Sequence, residues 1–174
     1  MKRFLLYVLA IIIAGACGQN NADTKEANSK NVQPPQIEEM TVPGVDTLNI
    51  TDTISLAANE NMHFNKELFR VKAGKKLVLI FKNTGADPNM SMAHNVVVLN
   101  KGIDIADFAD SARNARDQEY IPTSFASSFI AHTKMVIAGK SDTVEFIIPQ
   151  AGVYDFICSY PGHWGTMQGK IVAE

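Results

Sequence analysis

Near the end of the chain, Cys158-Ser-Tyr-Pro-Gly-His163-Trp-Gly-Thr-Met167 places a thiol, an imidazole and a thioether within ten residues. Pro161-Gly162 inside it is a turn signal, so the stretch is expected to reverse direction between two strands and aim all three side chains at one point. Soft sulfur with imidazole suits copper, and two histidines plus a cysteine with a weak axial methionine make a one-electron copper centre. A second imidazole stands far upstream, in Ser91-Met-Ala-His94-Asn95. Taken singly, these residues carry little weight: a buried cysteine is usually an inert small hydrophobe and methionine a gap-filler. The order and spacing Cys-x4-His-x3-Met carry the reading. His63 and His132 have no such company and are read as idle, His132 as exposed.

The elements that must position these groups read as strands. From Val45 the pattern turns to period two, Thr47, Asn49 and Thr51 alternating with Leu48, Ile50 and Asp52, and this predicts a first half-buried strand. Met62-His-Phe64 and Leu68-Phe-Arg-Val71 have strand composition, Ala73-Gly74-Lys75 is a turn, and the apolar run Leu77 to Phe81 is a central strand. Asn83 to Asn89, with Gly85 and Pro88, forms the loop that delivers His94. His94, Val96 and Val98 then share the core-facing side of the next strand. Between Gly102 and Tyr120, Ile105, Phe108, Ala112 and Ala115 recur at helical spacing with Asp104 placed to cap, so one surface helix interrupts the strands. Val144, Phe146 and Ile148 alternate with polar neighbours. Tyr154, Phe156 and Cys158 share a face, which turns the thiol inward, and Met167 to Ala173 closes the sheet. Short strands with regular turns predict an all-β, antiparallel Greek-key β-sandwich with one inserted surface helix.

These stretches resemble the cupredoxin family, in particular its azurin and auracyanin members. The likeness is carried by Met92-Ala-His94-Asn95, Ile130-Ala-His-Thr-Lys134, Gly152-Val-Tyr-Asp-Phe-Ile-Cys158 and the loop from Cys158 through Gly169, and it runs from about Asn59 to the end. The resemblance implies one copper ion held by His94, Cys158, His163 and Met167. It also implies that Asn95 ties the two ligand segments together and that the Tyr160 N–H donates to the thiolate. Azurins have glycine before the first histidine. Ala93 stands there instead, and its carbonyl is a candidate weak axial contact. Azurins also carry a disulfide near the start of the sandwich, whereas the two cysteines here, Cys17 and Cys158, make a poor pair.

The function implied is electron transfer by a blue-copper protein that is not an enzyme, a copper carrier or storage protein being the alternative reading. The expected partners are redox proteins such as cytochromes or respiratory complexes. They would dock near His163 and Trp164 on an apolar rim of Met62, Pro88, Met92, Tyr160 and Trp164. A binuclear copper centre would need a second cysteine in this loop, and there is none.

The beginning of the chain addresses it. Lys2-Arg3 followed by the apolar run Phe4 to Ala16 is an export signal, too short for a mature membrane span. Its end, Ala14-Gly-Ala-Cys17, resembles a bacterial lipobox with Cys17 as the lipidated residue. Residues 1–17 are therefore expected to be a lipoprotein signal, 18–44 a polar flexible tether with Pro34-Pro35 in it, and 45–174 the cupredoxin domain. That places the domain on the periplasmic side of the bacterial cell envelope, anchored to a membrane by lipid. With 16 basic and 18 acidic residues in 174, nothing suggests nucleic acid as a partner.

Overall fold

The computed structural model describes residues 42–174, so the expected signal, Cys17 and most of the tether lie outside the described residues. Among the described residues, eight strands form two sheets. Strands β1 (Thr53–Ala58), β3 (Lys76–Asn83) and β6 (Ser141–Ile147) make a three-stranded sheet in the order β1-β3-β6. Strands β2 (Leu68–Val71), β8 (Gln168–Ala173), β7 (Gly152–Ile157), β4 (Val97–Leu99) and β5 (Phe129–His132) make a five-stranded sheet in the order β2-β8-β7-β4-β5. Each strand presents alternate residues to the space between the sheets. Ile54, Leu56, Leu77, Leu79 and Phe81 on one side meet Val96, Val98, Tyr154, Phe156 and Ile171 on the other. Phe64 bridges the layers, edge-on to Phe81 at 6.0 Å and tilted against Phe156 at 5.5 Å. Burying one such side chain is worth roughly 1.5–3 kcal/mol.

The expected helix is α1 (Ile105–Arg113), and the Asp104 side chain caps it by accepting the Asp107 N–H at 3.0 Å. Its buried face is Phe108, Ala109 and Ala112, while Asp107, Asp110 and Arg113 face solvent. Phe108, Ala112 and Ile121 cover Val97, Leu99 and Ile157 on the outer face of the five-stranded sheet, forming a second apolar core. Strand β4, the continuation of the His94 segment, is therefore buried on both faces.

Four details depart from the sequence reading. The first strand begins at Thr53, and Val45–Thr47 is a 3-10 turn entered through Gly44 at φ 85°. Ile54, Leu56 and Ala58 provide the buried alternation, whereas Ile50 makes one bridge to Arg70 and stays 48% exposed. Met62 to Phe64 is not a strand, because Met62 takes a positive φ of 55° and only Phe64 bridges, to Ala58. Nor are all strands antiparallel: β1 runs parallel to β3, and β2 parallel to β8. The chain changes sheets from β1 to β2 and back at β3, which sets β1 and β3 side by side in one direction. β8 also lies inside its sheet, between β2 and β7, and does not close an edge.

Candidate metal centre

His94 lies just before β4, and its backbone pairs with Val136, His94 N–H donating to Val136 O at 3.1 Å and Val136 N–H donating to His94 O at 2.8 Å. Cys158 immediately follows β7. The loop after it is closed at its base, where Cys158 N–H donates to Met167 O at 3.0 Å and Met167 N–H to His163 O at 2.9 Å. Gly162 takes φ 87° at the turn. Two segments far apart in sequence thus bring donor atoms of His94, Cys158 and His163 within 4.8 Å of one another. His94 and Cys158 are fully buried and His163 is 5% exposed. Met167, also fully buried, lies in the same core as Cys158.

The orientation of each donor is fixed by its neighbours. His94 Nε2 lies 3.1 Å from the carbonyl of Asn59, and a carbonyl can only accept, so Nε2 carries the proton and Nδ1 offers its lone pair. That Nδ1 faces His163 Nδ1 at 3.1 Å, and His163 Nδ1 is 3.8 Å from Cys158 Sγ. The backbone N–H groups of Asn95 and Tyr160 both point at the sulfur. Asn95 joins the two ligand segments as expected: its Oδ1 accepts the Ser159 N–H and its Nδ2 donates to Ser159 Oγ, both at 2.8 Å. Burial pushes the Cys158 thiol up to about 11, against the opposing pull of those two N–H groups. Burial, helped by the neighbouring His94, lowers His163 to about 4, and His94 is lowered by burial as well.

A pocket that holds two neutral imidazoles and a thiol, all screened from water, is chemically suited to a thiophilic metal that displaces one proton from sulfur. Residues 51–174 match the family model of copper binding proteins, plastocyanin/azurin family. The chain belongs to that family. Azurin from Alcaligenes faecalis is 34% identical over 122 residues, 68% of this chain and 94% of that one. Outer membrane protein H.8 of Neisseria meningitidis serogroup B is 34% identical over 120 residues, 67% of this chain and 64% of that one. Among solved structures, reduced auracyanin from Roseiflexus castenholzii superposes with a TM-score of 0.66 at 32% identity, covering 72% of this chain and 99% of that one. Auracyanin A, a "blue" copper protein from Chloroflexus aurantiacus, gives 0.64 at 31%, covering 70% and 98%. The chain is a cupredoxin, its cofactor is one copper ion, and it is a blue-copper electron-transfer protein.

The surroundings of this cupredoxin's site differ from expectation in two places. The ring that lies on His163 is Tyr160, with centroids 4.6 Å apart, and Tyr120 from the helical insertion meets Tyr160 edge-on at 4.9 Å. Trp164 is half-buried and packs against the second core beneath α1. His132 is half-buried rather than exposed, edge-on to Phe129 at 5.4 Å, and it is not among the clustered donors. His63 is exposed. Asn59, Glu60 and Asn83 support the site and were not singled out in the sequence. The Asn59-Glu60-Asn61 run reads as turn composition, and a backbone carbonyl acceptor leaves no side-chain signature.

The clasp between Asn95 and Ser159 makes a direct prediction. Asn95→Ala leaves the Ser159 N–H unpartnered in a buried place, which costs about 1–3 kcal/mol. It is expected to weaken copper binding about 10–100-fold, the usual penalty for losing a group that orients ligands. Competition with a chelator of known affinity measures it. An unchanged affinity would show that the loop holds its shape without the clasp.

Proposed function

We propose that His94, Cys158 and His163 would hold the copper, that Met167 would add a weak sulfur donor, and that the Ala93 carbonyl would be a further weak contact. The domain would shuttle single electrons between redox proteins in the bacterial cell envelope. The convergence of three buried donors from two distant segments within 4.8 Å carries this reading. A copper ion held by such a set would supply one-electron chemistry, and the soft Cys158 sulfur suits its reduced state. The chain's own contribution is to hold the donors still. Asn59 fixes the His94 ring, the Asn95 and Tyr160 N–H groups face the sulfur, and the base of the loop is closed by backbone hydrogen bonds. Ligands held in this way have little to rearrange when an electron arrives.

An absorption spectrum of the copper-loaded protein tests the assignment. Intense visible absorption with reversible one-electron reduction supports electron transfer, whereas rapid handover of copper to a chelating partner supports a carrier. Met167→Leu conserves volume and costs less than about 1.5 kcal/mol of stability. It is expected to keep the visible absorption and raise the reduction potential, because a sulfur donor is lost. Loss of copper binding altogether would make Met167 a structural ligand.

The envelope location rests on the charged start Lys2-Arg3, the apolar run after it and Cys17, and on likeness to a relative named as an outer membrane protein. Cys17 would carry lipid, residues 18–44 would span the gap, and residues 45–174 would reach redox partners such as cytochromes. Cys17→Ser is expected to move the protein from the membrane fraction to the soluble one. A variant that still sediments with membranes would refute the anchor.

Docking would centre on the face where His163 comes nearest the surface. Tyr160 lies against that histidine, Met92 is half-buried, Pro88 is exposed and Met90 is 58% exposed. Small apolar faces of this kind suit brief redox encounters. Because Trp164 also serves the second core, its docking role is shared with Tyr160. Tyr160→Ala keeps the backbone N–H that faces the sulfur, so the spectrum should change little. Loss of an aromatic hot spot costs ~2 kcal/mol, about thirtyfold in partner affinity. Trp164→Ala should cost ~2 kcal/mol of stability, less than a fully buried tryptophan would.

A further inference from the structure

The carboxyl-terminal residue of β3, Asn83, is a buried amide only 1% exposed, and it lies outside the donor set. Its two side-chain N–H groups donate to Met92 O at 2.9 Å and to Val136 O at 3.0 Å. Its Oδ1 accepts the Gly85 N–H at 3.0 Å. Its backbone is paired too, N–H to Lys140 O at 3.0 Å and O from Gly139 N–H at 2.9 Å. Met92 is two residues before His94, and Val136 is the residue whose backbone pairs with His94 on both sides. One amide therefore grips the chain just upstream of a copper ligand and the strand partner of that ligand.

We propose that Asn83 is a positioning residue for His94, fixing it relative to the three-stranded sheet before any metal arrives. The proposal rests on the copper reading of the site and adds a residue to it. The chemistry is specific to asparagine, because the place needs two donors and one acceptor on a short planar head. Leucine supplies none of these, an ionised aspartate supplies acceptors against two carbonyl oxygens, and glutamine is one methylene too long for a filled core.

The surrounding loop is built to match. A Cβ at Gly85 would lie 3.0 Å from Asn83 Oδ1 and 2.8 Å from Glu60 Oε1, so a larger residue would have to displace the Glu60 carboxylate. Glu60 Oε1 accepts the N–H groups of Ala86 and Asp87, and Glu60 follows Asn59, whose carbonyl holds the His94 ring. The ring is thus oriented from one side and the backbone from the other. A buried amide with every hydrogen bond satisfied also stabilises a fold in general, so the test must separate position from stability.

The comparison is between Asn83→Leu and Leu77→Ala in the full chain. Leu77 is 1% exposed at the opposite end of the same strand, so its truncation destabilises the sandwich without touching His94. Two quantities are read: copper affinity, and hydrogen exchange of the His94 and Val136 amides in copper-free protein. Asn83→Leu is expected to weaken copper binding about 10–100-fold. It is also expected to speed exchange at those two amides beyond the change at amides elsewhere in the sheets, whereas Leu77→Ala alters all amides alike. If Asn83→Leu lowers affinity and protection no more than Leu77→Ala, the positioning role is overturned. Should Asn83→Leu not fold, Asn83→Asp decides by the same two readouts, since it keeps the shape and the acceptor for Gly85 while losing donors. Failure of the unaltered protein to bind copper would overturn the ligand assignment. The exchange readout would still decide whether Asn83 holds the His94 segment.

Discussion

Replacing Cys158 with serine will remove the intense visible absorption of the copper-loaded protein and weaken copper binding by more than the about 10–100-fold that losing an orienting neighbour costs. The reason is the difference between a thiolate and a hydroxyl. Sulfur is soft and accepts the cuprous state, and its proton leaves readily once a metal competes for it. A serine hydroxyl in the same place is a hard donor and keeps its proton. The fold should survive, because Cys158 is a small, fully buried side chain and serine is close to it in size. The remaining cost is that of burying a hydroxyl, roughly 1–3 kcal/mol, and the Asn95 and Tyr160 N–H groups that face the sulfur reduce it by donating to the oxygen. Chelator competition and a thermal melt of the copper-free variant measure the two effects separately. A variant that keeps the visible band would show that another residue supplies the chromophore.

How much of this was legible beforehand depends on where each signal is stored. Cys158, His163 and Met167 are neighbours in sequence, so their spacing carries the loop directly. His94 was legible because alternation with Val96 and Val98 turned it inward, and the structure puts Val96 and Val98 in the core and buries His94 completely. The helix was legible from Phe108, Ala112 and the Asp104 cap. Trp164 is half-buried, in keeping with the partial exposure expected of it, but its seat on the second core was not legible, for a physical reason. Tyr154, Phe156 and the valines after His94 fill the core on the Cys158 side, so the sequence assigns the tryptophan to the rim and leaves the opposite face of β7, with Ile157, out of account. The insertion covers that face, and Phe108, Ala112 and Ile121 with Val97, Leu99 and Ile157 give the indole a seat. No periodicity within a single strand records a lid contributed by a different segment. Asn83 escaped for a similar reason, since it ends a strand and opens a loop, where asparagine is ordinary. Its partners are carbonyls at Met92 and Val136, the latter 53 residues away.

The second large effect is a loss of stability of the copper-free protein on both sides of neutrality. His163 is lowered from 6.5 to about 4 by burial and by His94, and it is only 5% exposed. The folded state therefore binds fewer protons than the unfolded chain between those values. The stabilisation is present above pH 6.5 and disappears as pH falls through about 4. At 1.36 kcal/mol per unit the shift is worth up to roughly 3 kcal/mol, and His94, lowered in the same direction, adds to it. Cys158 behaves as the mirror image. Its thiol is raised from 9.0 to about 11, so the folded state holds a proton that the unfolded chain releases. Stability from this group is complete below pH 9 and is lost as pH climbs toward 11, again by up to roughly 3 kcal/mol. Denaturant midpoints of the copper-free protein from pH 3 to 11 should trace a plateau near neutrality with a shoulder on each side. His163→Phe, which removes the acid-sensitive group at similar bulk, should flatten the acid side alone. Copper loading should flatten the alkaline side, because binding has already removed the thiol proton. An acid limb that is unchanged in His163→Phe would mean that His94 or the surface carboxylates drive the transition, and that the neutral imidazole at His163 costs the fold little.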